Sequence, residues 1–489
     1  MTAEPPAGNS GIRNLAILSL ITVVALLVLG YHPGLEDDAF YLAAIKRDLN
    51  PALFPHDADF FRLQFQATVF DKLIAASIRL THLPSAWCIL LWHVASIFLI
   101  LWGCWLIARR CFAEAYAQWA AVTLVALLLA IPISGTEISL ADQYLHPRNL
   151  ATAAIAGAIV AVLDKRFVLA GVLLALAFAV HAIMASFGIS FCIFLGWQRR
   201  FDPVSYAAFL TPFSWLFAPS SDAWRAAAAT RPFNHLTRWA WYEWLGVFGP
   251  LALLWIFSWV ASRSGSITLS RLSTRLVCFG VFQTAVGLAI MLPPSLERLR
   301  PFEPMRYLHL VYLLFFLVAG GLLGRYVLGR HVYRWLLLFV PLAGGMFYAQ
   351  RQLYPASEHL ELPGRAAHND WLKAFAWVRQ NTPNDSLFAL DPRYMEIPGE
   401  DYHGFRALAE RSALADDTKD GGMAARVPSL APRWLEEVQA TKAWRSFRAS
   451  DFEKLKQRFG VNWVVLASPG VSGLNCPYQN RSVMVCRVE

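Results

Sequence analysis

Apolar runs recur along this chain from residue 15 to residue 350, and that recurrence limits what it can fold into. The runs lie at roughly 15–30, 84–108, 115–133, 149–163, 167–180, 182–197, 204–219, 244–262, 276–292, 307–324 and 335–350. Length and hydropathy read them as membrane-crossing helices, about eleven in all. One globular core cannot absorb them, because 56% of the residues are hydrophobic and only 16% charged. A soluble domain carries about 25% charged residues, so lipid is the apolar solvent left to this chain. Its 19 Trp and 33 Phe suit many membrane–water boundaries, where aromatic rings concentrate. No small-residue cleavage site follows the first run, which is expected to be a retained span. The run 204–219 is the weakest, since Asp202-Pro203 precedes it and Pro212 interrupts it. His181 alone separates 167–180 from 182–197 and demands a tight turn there.

Basic residues orient the spans. Arg13, Arg109-Arg110, Lys165-Arg166, Arg199-Arg200, the group Arg263, Arg271 and Arg275, and the group Arg325, Arg330 and Arg334 fall at every second boundary. Cytoplasmic loops carry that excess, so the N-terminus is expected in the cytoplasm. An odd number of spans then puts the C-terminal region on the outer side. The net charge of +9 is spread through short loops, which points to the lipid bilayer as partner and not to nucleic acid. Seven cysteines are too few for a disulfide framework, and five of them lie in or beside apolar runs. Cys476 and Cys486 bracket a short polar stretch and can form one bridge in an oxidising compartment.

Residues 1–350 thus read as a membrane module with a long first outer loop, 31–82. Residues 351–489 are polar and punctuated by Pro and Gly. Within them 368–380 puts Trp371, Phe375 and Val378 on one helical face, and Asn381-Thr-Pro ends that helix. Stretches 386–390, 461–467 and 482–488 read as strands, and 450–459 as a helix ended by Gly460. The alternation predicts a small α/β domain on the outer side.

Three groups of residues carry possible chemistry. Glu36, Asp37 and Asp38 follow the first span directly and precede a helix predicted over Ala39–Asp48. One acid can cap that helix; the others are available as a general base or as ligands for a divalent metal, Mg or Mn, at Asp37/Asp38. Arginines also occur where the positive-inside rule does not put them: Arg62, Arg148, Arg225, Arg231, Arg238, Arg298, Arg300 and Arg306. Arg148 and Arg306 stand at span entrances. A cation there needs a lipid headgroup, a carboxylate such as Glu297 or Glu303, or a bound phosphate, which the guanidinium fork fits well. His146, His181 and His309 lie at or near outer span ends without metal-ligand spacing. The sequence has no P-loop, no dinucleotide fingerprint, no GxSxG and no HExxH.

An acidic pair just after the first span, a long helical outer loop, about eleven spans and a terminal outer α/β region together resemble the GT-C superfamily of membrane glycosyltransferases. That group includes oligosaccharyltransferase catalytic subunits, protein O-mannosyltransferases and aminoarabinose transferases. Asp37 and Asp38 match its acidic motif in position, and WVRQNTPNDSLFAL (377–390) is similar to segments in outer domains of related bacterial membrane proteins. The resemblance implies a polytopic α-helical membrane protein with a polyprenyl-phosphate-linked sugar donor. It also implies an inverting transfer, on the outer face, to an acceptor glycan, lipid or protein. Asp37 and Asp38 would then deprotonate or orient the acceptor hydroxyl. Arg306, Arg148 and Arg298 would stabilise the departing phosphate, with Glu36, His146 and His181 as further candidates. The oligosaccharyltransferase WWDYG motif is absent, which speaks against asparagine as acceptor. The compact chain suggests a bacterial inner membrane. A transporter or flippase would instead favour charges near mid-membrane, whereas here ionisable residues gather at one face. An assembly or sensor protein would not need its acids and outer arginines close together. An enzyme needs Asp37 or Asp38 and Arg306 on the walls of one cavity.

Overall fold

A computed structural model describes residues 7–196 and 220–489. The predicted run 204–219, the Arg199-Arg200 pair and the side chain of Arg62 lie outside the described residues. The other predicted runs form helices, the run 115–133 only in its first part. Six are long and apolar enough to cross a membrane: Gly11–Leu29, Ser85–Cys111, Trp241–Arg263, Ile267–Met291, Pro304–Leu328 and Val332–Leu353. They make this an integral membrane protein. Ala115–Leu127, Pro147–Leu163, Phe167–Val180 and Ala182–Gly196 are apolar but shorter, at 13, 17, 14 and 15 residues. The shortest rises only about 20 Å, against roughly 30 Å of hydrocarbon.

Exposure separates the long helices. Leu308–Leu323 is buried along most of its length and lies at the centre of the bundle. It meets Ala115–Leu127 through Gly320, and the turn Gly324–Leu328 continues the contact through Gly324; an added Cβ would come within 2.9 Å of Ala121 Cα and 2.8 Å of Ala117 Cα respectively. Small residues one turn apart allow such close backbone approach between membrane helices. This packing fixes the helix that Arg306 enters. Val332–Leu353 instead exposes Leu336, Leu337, Val340 and Phe347, as a helix against lipid does.

The run 115–133 is helical only to Leu127. Its remainder turns into a hairpin, β1 (Pro132–Ile133) against β2 (Ile138–Ser139). The chain then reaches Asp142 and enters the next helix at Pro147, whose missing N–H costs nothing at a first helical position.

After the last long helix comes a five-stranded sheet: β3 (Leu387–Ala389), β4 (Ser412–Ala413), β5 (Trp463–Ala467), β6 (Asn475–Gln479) and β7 (Val483–Arg487). The spatial order is β4-β3-β5-β7-β6. Pairs β3–β4 and β3–β5 are parallel; β5–β7 and β6–β7 are antiparallel. Strand side chains alternate between faces. Phe388, Trp463, Val465, Val483 and Val485 therefore pack on one side with Trp371, Phe375 and Val378 of the helix Asp370–Asn381. Leu387, Val464, Leu466 and Cys486 pack on the other with Phe452 and Leu455 of Ala449–Phe459. Gly460 ends that second helix at φ 81°. A disulfide joins Cys476 of β6 to Cys486 of β7.

The sheet region is tied to the loop that follows the first span. Tyr31 bridges Leu360 and Leu35 bridges His403 through backbone pairing. Below them Arg406 is ion-paired with buried Asp57 of the loop and donates from Nη1 to Asp420 Oδ2 at 2.8 Å. Removing one member of such a buried set strands the others without a partner, at about 3–5 kcal/mol.

Candidate functional site

The acid run begins where the first helix ends, at Leu29. Gly30 and Gly34 turn the chain at φ 88° and 84°, and Glu36 follows at φ 52°, a conformation L-residues seldom adopt. The following helix spans Asp38–Leu49, but neither acid caps it in the expected way. Asp37 stands at the N-cap position and makes no side-chain capping bond. Asp38 turns back instead and accepts the Gly34 N–H at 2.6 Å. Successive helix residues project about 100° apart, so the two carboxylates have different neighbours. The metal expected at Asp37/Asp38 would thus meet carboxylates with different partners, Lys419 for Asp37 and the Gly34 N–H for Asp38.

Their electrostatics diverge too. Burial pushes the Asp38 carboxyl up to about 7, with the Gly34 N–H opposing. Burial acts on Asp37 as well, but Lys419 foremost, then His146, Arg231 and Arg426, hold it well below the usual carboxylate range. Lys419 Nζ donates to Asp37 Oδ1 at 3.0 Å and also to Glu36 Oε2. Lys419 opens the helix Lys419–Arg426, which brings Arg426 to the same place.

These groups surround a cavity of about 780 Å³. Glu36, Asp37, Glu137, Asp142, Arg148, Arg231, Glu303, Arg306, Lys419 and Arg426 line it, with Phe40, Tyr41, Tyr144, Tyr354 and Tyr402. The walls come from the loop after the first span, the hairpin loop, the segments before two long helices, and the region after the last span. Asp37, Arg148 and Arg306 thus meet in one cavity, and Glu36 with them. Asp38 lies buried behind it.

Arg148, Arg306 and Arg426 each already hold one carboxylate, while Arg231 donates to the Thr418 carbonyl. Arg148 Nη2 bonds Asp142, while its buried Nε has no partner. Arg426 Nη2 donates to Glu303 Oε1 at 2.8 Å. Arg306 Nε is ion-paired with Glu303 Oε2 but not aligned as a hydrogen bond, and its Nη nitrogens have no hydrogen-bond partner among the described residues. Arg306 and Arg148 are only 6% and 2% exposed. Buried guanidinium groups with unused donors are costly, and an anion in the cavity would satisfy them.

The remaining candidates lie elsewhere. Arg298 Nε donates to Ser220 Oγ at 3.4 Å, and Arg298 is not on the cavity wall. His146 accepts the Arg148 backbone N–H at 2.9 Å, packs edge-on to Tyr41 and stacks at 6.0 Å on His181. His181 Nδ1 in turn accepts the Met184 N–H. His309 donates to the Leu140 carbonyl at 2.9 Å. The histidines hold span ends behind the cavity. Sequence reasoning passed over Asp142, Lys419 and Arg426. Glu303 was legible as an arginine partner, whereas Lys419 meets Asp37 across 382 residues, where no spacing rule operates.

Separately, His32, Glu361 and His403 form a candidate metal site, with ligand atoms all within 4.8 Å of one another.

No family model and no curated protein matches the chain. Among solved structures it is similar to an oligosaccharyltransferase of Archaeoglobus fulgidus crystallised with Zn and sulfate. The identity is 13% and the TM-score 0.44, over 93% of this chain and 67% of that one. It is also similar to the archaeal oligosaccharyltransferase AglB from Archaeoglobus fulgidus in complex with an inhibitory peptide and a dolichol-phosphate. There the identity is 12% and the TM-score 0.41, over 93% and 69%. At these values no residue role rests on the likeness.

Proposed function

We propose that the protein is a membrane glycosyltransferase that moves a sugar from a polyprenyl-phosphate donor to an acceptor hydroxyl on the outer face. The observation that carries this reading is the meeting of Asp37 and Arg306 in one cavity, with the buried Arg306 Nε making no hydrogen bond among the described residues. A polyprenyl chain stays in the bilayer, so its sugar arrives at the level of the span ends. Arg306 and Arg148 stand at such ends.

In the transfer, the acceptor oxygen bonds to the anomeric carbon while the bond from that carbon to the phosphate oxygen breaks. The electron pair leaves with the phosphate, and Arg306, Arg148 and Arg426 stabilise the growing charge. Arg426 takes the part the sequence suggested for Arg298. Attack opposite the leaving group inverts the anomeric centre. Asp37 receives the hydroxyl proton. Its low pKa makes it a weak base before reaction, so it chiefly orients the hydroxyl and accepts the proton late. Asp38 has the pKa of a better base but is closed off behind Gly34, and it supports the turn.

A Mg or Mn ion at Asp37 would take Asp142 as its second carboxylate instead of Asp38. Both line the cavity, and Asp142 Oδ2 is buried with no hydrogen bond among the described residues, His146 Nδ1 standing 3.9 Å away. Such an ion would add positive charge beside the phosphate. The basic helix ends opposite the cavity, with Arg110 paired to Asp164 and Arg325 to Glu114, support a cytoplasmic N-terminus and an outward cavity, as in a bacterial inner membrane.

The test is sugar transfer by purified protein in lipid, with a panel of polyprenyl-phosphate sugars and acceptor hydroxyls. Wild type should turn over at least one donor, and Asp37→Asn should lose about 10²–10⁴-fold in rate while remaining folded. Equal rates in both would remove the role of Asp37. Donor flipping without transfer would turn the assignment to a flippase.

A further inference from the structure

We propose that His32, Glu361 and His403 bind a divalent metal of the zinc type, and that this metal fastens the segment carrying the acid run to the region after the last span. The site is separate from the cavity and does not depend on the transferase reading: none of the three residues lines it.

The donor set comes first. Glu361 Oε1 lies 3.0 Å from His32 Nδ1 and 3.1 Å from His403 Nε2, with Oε2 3.3 Å from the latter. Ligands of a tetrahedral zinc, at bonds of about 2.0 Å, stand roughly 3.3 Å apart. Two imidazoles and a carboxylate suit zinc better than the all-oxygen preference of magnesium or calcium.

The outer contact of His403 adds a second observation. His403 Nδ1 lies 3.1 Å from the Glu400 carbonyl, which can only accept, so that nitrogen carries a proton and Nε2 is the nitrogen turned toward Glu361. A ring N–H donated to a backbone carbonyl is the outer contact that orients metal-bound histidines.

The surroundings suit a closed site with one approach. His32 and His403 are 1% and 0% exposed, while the Glu361 side chain keeps 15%. A side cavity of about 200 Å³, lined by Pro33, Glu361 and Asn369 among others, opens onto the carboxylate as an entry path. The ligands ride on paired backbone: the Glu361 N–H donates to Tyr31 O at 2.9 Å, and the Gly404 N–H to Gly34 O at 2.8 Å.

The experiment uses the full chain in lipid nanodiscs, stripped with chelator and titrated with Zn²⁺ alone, then Co²⁺ alone. Wild type should bind Zn²⁺ here, raise its Tm on binding, and show the visible bands of four-coordinate cobalt. Asp37→Asn should keep all three. His403→Gln and Glu361→Gln should weaken binding more than about 100-fold, since each removes a direct ligand, where outer-contact losses alone cost about 10–100-fold. If those variants fail to fold, the cobalt spectrum of wild type decides. Wild type that binds neither ion, or unchanged affinity in folded His403→Gln, would overturn the proposal. It would leave the carboxylate held between histidines by a proton. Loss of the site in Asp37→Asn alone would assign the metal to the cavity instead.

Discussion

Arg306→Ala tests the cavity at its best-defined point. Arg306 is 6% exposed, and in such surroundings an effective dielectric of about 20 applies. Two unit charges about 4 Å apart then interact by about 4 kcal/mol. The donor phosphodiester brings one negative charge, and breaking the sugar bond adds up to one more. Only the added part is felt more strongly in the transition state than before it. With that charge half developed, losing Arg306 raises the barrier by about 2 kcal/mol, or roughly 30-fold in kcat. Binding of the first charge is lost as well, so the donor KM should rise. The fold should hold, because Glu303 keeps Arg426 at 2.8 Å. Arg306→Lys keeps a charge without the fork and should fall between Ala and wild type. The assay is steady-state transfer in nanodiscs with the donor varied. A folded Ala variant with kcat within about threefold of wild type and an unchanged KM would refute the electrostatic argument.

Other consequences follow from the same contacts. The Asp38 carboxyl is raised to about 7 from 3.8, so the folded state binds more protons than the unfolded between those values, and stability falls as pH rises through that window. Asp38→Asn should cancel that fall, on the order of 4 kcal/mol, giving a Tm above wild type at pH 8 and a difference that vanishes below pH 4. A constant difference across pH would dismiss the burial of a titrating carboxyl. At Gly404 an added Cβ would overlap Ala39 of the acid-bearing helix, so Gly404→Ala should cost about 1–3 kcal/mol and lower activity by pushing the two segments apart. A Tm equal to wild type would deny that contact. Cys476 and Cys486 close a loop of 10 residues, and Cys476→Ser should destabilise the sheet region by about 3 kcal/mol by chain entropy. Thermal unfolding with and without reductant reads this directly.

The sequence disclosed what depends on composition and short-range pattern. The described apolar runs became helices over most of their length, and Trp371, Phe375 and Val378 do share a buried face. Glu36, Asp37, Arg148 and Arg306 could be singled out because each is a charge beside an apolar run. What stayed hidden depends on tertiary neighbours. The direction of Asp38 is set by the Gly34 turn, and the pairing of Asp37 by a lysine in the C-terminal region. Arg298 and Arg306 look alike in sequence, yet one meets Ser220 and the other the cavity. Strand β6 was missed because Pro477 breaks the pattern; it is tolerated at the sheet edge, where one row of N–H groups needs no partner. β4 is two residues long and carries no periodicity at all.

The contact between Asp37 and Lys419 also sets an order in time. The acid leaves the ribosome early, and its lysine follows 382 residues later. At about 5–20 residues per second the interval is roughly 20–80 seconds. During it the membrane helices can insert, but Asp37 has no Lys419 and Arg306 has no Arg426 sharing its Glu303. A chain cut short anywhere before residue 419 therefore carries Asp37 without the cation that holds it charged. The cavity is not closed until Arg426 has been made, so a partly made copy sitting in the membrane is held idle by its own unfinished end.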